Sequence, residues 1–135
     1  MALYEKTAAE LSKLLKNKEC TAVEITNSVF ERIEQTDDKV GAYITLQKEN
    51  AVKKAEEVDA KIAKGETLSK LAGIPIGIKD NIVTIGRLTT SASKMLHNFI
   101  PPYDATVINK IYANDMIVTG KLNMDEFAMG SSTET

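Results

Sequence analysis

The chain has 135 residues, 43% hydrophobic and 27% charged, which suits one soluble domain with a real core. Its 17 basic and 19 acidic residues leave a net charge of −2, with no basic stripe of the kind that charge-driven nucleic-acid binding needs. One cysteine, Cys20, and one histidine, His97, exclude an intramolecular disulfide, a multi-cysteine metal site and a His-rich zinc centre.

The N-terminal residues lack the basic-then-apolar order of a secretory signal. No apolar stretch approaches the ~20 residues of a membrane span. A soluble, cytoplasmic protein without membrane contact is expected.

Thr7 and Glu10 have capping-box spacing, with Leu11, Leu14 and Leu15 on one face of a helix reaching about Asn17. Thr21 and Glu24 repeat the device for a second helix, with Ile25, Val29, Phe30 and Ile33 inward and an end near Thr36. Cys20, between the two, reads as a small buried or half-buried thiol rather than a nucleophile. Gly41 opens a β-rich run from Ala42 to Leu46. A third helix from about Lys48 to Lys64 places Ala51, Ala55, Val58 and Ile62 on one stripe. Its Lys53, Lys54, Glu56, Glu57 and Lys61 are expected to face water, and Gly65 is its stop.

Glu66 to Leu71 is a polar connector, read as a long loop within one domain. It divides a helical segment, 1–65, from a sheet-forming segment, 66–135. The second segment opens with Gly73-Ile74-Pro75-Ile76-Gly77-Ile78-Lys79-Asp80-Asn81. Pro75 disfavours helix and the isoleucines are β-branched, so Ile74 to Ile78 reads as a buried strand. Ile82 to Gly86 is a second short strand or an extended loop, and Thr89 to Ser93 is a hydroxylic run that caps a short helix through His97. Asp104 is placed to cap a helix whose inner face is Val107, Ile108 and Ile111, and Met116 to Thr119 follows as a strand. The Ile76 and Met116 strands are expected to leave an open edge and apolar surface. The class is α/β: N-terminal helices followed by the start of a mixed, partly parallel sheet.

Thr119-Gly120-Lys121-Leu122 fails as a phosphate-binding loop, because Asp115 and Leu122 stand where glycine and a hydroxyl are required. Asp125-Glu126 reads as capping and surface rather than shared acid–base work. Lys79 has two readings from its residues alone. It is the first solvated residue after a core strand, or a lysine held partly out of water at a strand end, where α/β proteins place chemistry. As a base it must be neutral, so its ordinary value of ~10.4 would have to fall by desolvation, and an Asp80 turned toward it would oppose that. Its partners would be hydroxyls, and Ser91, Ser93, Ser131 and Ser132 are the candidates.

Gly73 to Asn81, Tyr103 to Val107 and the run from Gly120 to Glu134 together resemble the amidase signature family. Within that family the last run resembles the glutamine-hydrolysing subunits of tRNA-dependent amidotransferases. The resemblance implies a Ser–cis-Ser–Lys triad with Lys79 as its lysine, and a substrate loop at Met129, Gly130 and Ser131. It also implies a heterotrimer in which this polypeptide, as the amidase component, releases ammonia from glutamine. A partner B subunit then uses ATP and Mg²⁺ to amidate misacylated Glu-tRNA(Gln), and a C subunit braces the two; no cofactor is implied for this chain. Asn114-Asp115-Met116 departs from the family's small turn, though Asn and Asp tolerate the left-handed conformation. The chain stops before the family's Gly/Ser-rich segment with both serines, so by itself it is expected to be inactive. Alternatives are a small-amide hydrolase of the same family and a truncated, non-catalytic binding module.

Overall fold

A computed structural model describes residues 2–133. Helices α1 (Ala8–Lys16), α2 (Ala22–Val40) and α3 (Lys48–Ala63) come first, with strand β1 (Tyr43–Leu46) between the last two. Strand β2 (Pro75–Lys79), helix α4 (Thr106–Ala113) and strand β3 (Ile117–Leu122) follow, with one-turn 3-10 helices at Leu3–Glu5, Lys94–Leu96 and Glu126–Ala128.

Both capping boxes form as expected: the Thr7 and Thr21 side chains accept from the N–H groups of Glu10 and Glu24, whose carboxylates bond back. Asp59 of α3 adds a non-local cap, accepting from the N–H groups of Ala22 (2.7 Å) and Val23 (3.1 Å). Helix α2 runs a turn beyond Thr36. Gly41 does not open the strand but closes this helix in the left-handed conformation, φ 63°. Asp37, in the added turn, accepts from the N–H of Ala42 at 2.8 Å and so ties the helix end to β1.

The sheet order is β1-β3-β2, with β1 antiparallel and β2 parallel to β3. The parallel pair is the expected strand–helix–strand crossover. Because β3 is central, the open edges belong to β1 and β2, not to the strand after Met116. β3 also runs farther than expected, through Gly120 and Lys121 to Leu122. Any side chain at Gly120 would collide with the Thr45 carbonyl of β1, so this central position requires glycine.

Each face of the sheet has its own apolar layer. Leu11, Leu15, Ile25, Phe30, Val58 and Ile117 are among the buried residues on the α1–α3 side. Ile78, Val118, Ile108 and Ile111 bury α4 on the other. Ile117 and Val118, adjacent in sequence, serve opposite layers as the strand period requires.

Two local expectations fail, each for a traceable reason, and one open alternative is decided. Of the two readings of residues 82–86, strand or extended loop, the loop is the one that forms, and Ile85 N–H donates to Asp104 Oδ1 (2.7 Å). Asp104 is thereby used up; Ala105 holds the N-cap position of α4 without a side-chain cap, and Val107 is exposed. The charged face of α3 is not wholly solvated either. Lys54 and Lys61 reach Asp115 at 2.7 and 2.8 Å, and Asp115 takes the left-handed conformation in its turn, φ 54°. Ser93 does cap the 3-10 turn Lys94–Leu96, through Met95 N–H, with His97 as its C-cap. Cys20 is half-buried, and burial raises its thiol above the ordinary value. No helix among the described residues is long and apolar enough to cross a membrane.

Candidate active site

Parallel strands deliver their C-terminal ends to one rim of a sheet, where loops meet. In β2 and β3 the register pairs Ile78 with Lys121 and Lys79 with Leu122. Asp80 N–H extends the ladder to Leu122 O at 3.1 Å. Ile82 N–H then returns to Lys79 O at 3.0 Å, closing a turn directly after the lysine.

Lys79 and Asp80 go to opposite environments. The Lys79 side chain is exposed, which agrees with its reading as the first solvated residue after a core strand and not with that of a lysine partly out of water, because the pleat turns it away from the core. Asp80 is fully buried, and its carboxylate is engaged elsewhere than with Lys79. Its Oδ2 accepts from Thr90 N–H (2.9 Å) and from the Thr90 hydroxyl. Its Oδ1 has no hydrogen bond and faces the Lys121 ammonium at 3.1 Å.

Lys121, also fully buried, is the lysine held out of water. Its Nζ donates to Ile82 O (3.0 Å), Leu88 O (3.4 Å) and Thr89 Oγ1 (2.9 Å). Its ammonium and the Asp80 carboxylate form a buried ion pair. Burial pushes Lys121 below the ordinary lysine value, and the Asp80 carboxylate only partly reverses this. Read from the sequence, Gly120-Lys121 is no more than a failed phosphate loop. The missed signal is a charge inside a strand that a central place, antiparallel to β1 and parallel to β2, buries on both faces.

The hydroxylic run packs over this pair. Ser91 N–H donates to Asp80 O (3.1 Å), and Phe127 N–H donates to Ser91 O (3.0 Å). The Ser93 hydroxyl donates to Glu126 Oε1 at 2.6 Å. Three segments therefore meet: the Lys79 turn, the loop 88–93, and residues 125–133. Ser91, Ala92, Phe127 and Ala128 all have φ between 51° and 60°, at a cost of about 1–2 kcal/mol each for residues with a Cβ.

Asp125 organises the last segment, accepting from Thr133 N–H at 2.8 Å. A Cβ on Gly130 would overlap its carboxylate. Met129, Gly130 and Ser131 are exposed on this loop, while Glu134, the end of the second motif, lies outside the described residues. Ser93 is engaged with Glu126 and Ser91 is half-buried; Ser131 and Ser132 are exposed.

The sequence profile of the Amidase family matches residues 24–135. The chain belongs to the amidase family. It is 58% identical over 134 residues to a protein of Desulforamulus reducens named as the A subunit of glutamyl-tRNA(Gln) amidotransferase, covering 99% of this chain and 28% of the relative. The protein of that name from Enterococcus faecalis is also 58% identical, with 98% and 27% covered. Among solved structures, the peptide amidase of Stenotrophomonas maltophilia superposes with a TM-score of 0.85 at 29% identity, over 91% of this chain and 26% of the enzyme. The chain thus spans a little over a quarter of the length of these relatives. Its α/β fold is that of amidases, and the rim of β2 and β3 is where its lysine motif and its second motif meet.

Proposed function

We propose that the chain is the N-terminal part of the glutamine-hydrolysing component of a tRNA-dependent amidotransferase, with Lys79 as the base of a Ser–cis-Ser–Lys triad. The reading is carried by Lys79, held by a closed turn at the end of β2, in a chain 58% identical to two proteins named as that component. The lysine would take a proton through the cis-serine while the second serine attacks the amide carbon of glutamine. Ammonia leaves, and water then releases glutamate from the acyl-enzyme. Both serines would come from sequence beyond these residues. So would the cover over Lys79, since desolvation is what makes a lysine a base. Met129, Gly130 and Ser131 would border the glutamine. Ammonia would pass to the B subunit, which uses ATP and Mg²⁺ to amidate Glu-tRNA(Gln), and the C subunit would brace the pair.

The test is Lys79→Met in the full-length polypeptide within its complex. Ammonia release from glutamine should fall by about 10²–10⁴-fold, while amidation of Glu-tRNA(Gln) from added ammonium persists. The 135-residue chain alone should release no ammonia. Wild-type glutaminase in the variant, or turnover by the isolated chain, overturns the reading. The likeness to a peptide amidase supports one other reading, a hydrolase of small amides. Full amidase activity of the full-length chain without partner subunits would favour it.

A further inference from the structure

We propose that Lys121 and Asp80, with Thr90, are positioning residues for Lys79, clamping its turn to the hydroxylic loop 88–93. The inference rests on the Lys79 reading and extends it to groups that never touch substrate. The three hydrogen bonds of Lys121 go to these two segments: Ile82 O lies in the turn that closes on Lys79 O, and Leu88 O and Thr89 Oγ1 lie in the loop. Asp80 makes the reciprocal connection. It is the residue next to Lys79 in the chain, yet its carboxylate holds Thr90 and its carbonyl holds Ser91 N–H. The clamp also reaches the third segment, through Ser91 O and Phe127 N–H.

A purely stabilising role accounts poorly for this arrangement. A buried ion pair gives little net stability over apolar residues of the same volume, and here Asp80 Oδ1 is left without a hydrogen bond. What the pair supplies is a fixed geometry with few alternatives. It holds Ser91 and Ala92 in a left-handed conformation that a loose loop would abandon. The Lys79 backbone is thereby tied to a rigid, dry polar cluster while its side chain stays on the outer face.

The experiment is steady-state glutaminase kinetics on the full-length polypeptide in its complex, with Asp80→Asn, Thr90→Val, Thr90→Ser and Lys79→Met. Asp80→Asn should lower kcat by about 100-fold, the cost of a misplacement near 1 Å, with KM for glutamine changed by less than about 3-fold. Thr90→Val, which carries no charge change, should lower kcat by about 10-fold with the same split. Thr90→Ser keeps the hydroxyl and should restore wild-type kcat. If Asp80→Asn does not fold, the Thr90 pair decides. A folded Thr90→Val with wild-type kcat, or with a change confined to KM, overturns the proposal. Active Lys79→Met overturns the underlying reading as well; inactive Lys79→Met beside wild-type Thr90→Val overturns the positioning role alone.

Discussion

The two sides of this molecule are held together by different physics. Around α1–α3 the interior is mainly apolar, with Thr26 of α2 a buried polar exception, and Thr7, Thr21 and Asp59 satisfy N–H groups at helix ends. At the rim of β2 and β3 the interior is polar: two opposite charges and two threonines are buried, and four non-glycine residues nearby adopt left-handed backbone. In the first region a contact is replaceable by another of equal volume. In the second, each group has fixed partners and one geometry. The lesson is that the helical layer supplies stability, and the rim uses some of it to hold a shape.

The sharpest way to break the comparison is Lys121→Met. It leaves the Asp80 carboxylate buried without a counter-charge and should destabilise the protein by about 3–5 kcal/mol in urea denaturation. Adding Asp80→Asn should return much of that loss, since the remaining buried groups are neutral. In the helical layer Ile25→Ala should cost about 3 kcal/mol by removing volume, and no second polar change should recover it. If both single variants were rescued by a neutral partner, or neither, the distinction would fail.

A smaller effect separates buried from half-exposed charge. Burial raises the Asp115 carboxyl, but the hydrogen bonds and charges of Lys54 and Lys61 outweigh it and leave it below the ordinary value of 3.8. A carboxyl lowered on folding stabilises the fold above its unfolded value and loses that contribution as pH falls through the folded one. Asp115→Asn should therefore narrow the stability difference between about pH 6 and about pH 3, measured by denaturant midpoints. An unchanged difference would show the lysine contacts to be energetically idle, as many exposed pairs are.

The same division explains what can be read from residues alone. Capping boxes, the Ala51-Ala55-Val58 stripe and the Ile76 strand are local patterns, and their elements form within a few residues of their expected limits. Asp104, Asp115 and Lys121 are misleading in the sequence because their partners lie 19, 61 and 39 residues away. A carboxylate in a turn reads the same whether it caps the next helix or receives a lysine from a distant one. Lys79 is legible as the polar end of a strand. That the charge beside it is buried, and paired with Lys121, follows only from the register of β2 against β3.

The central place of β3 also governs how the chain can acquire its structure. β1 and β2 do not touch each other in the sheet; both wait for a strand that follows α4. Tyr43 meets Thr119 across 76 residues, and such distant closure slows folding relative to neighbour-to-neighbour contacts. On a ribosome, α1 to α3 can assemble as soon as they emerge, while β1 and β2 wait as separate edges. The sheet, and with it the rim that carries Lys79, is expected to form in one late step when β3 inserts between them.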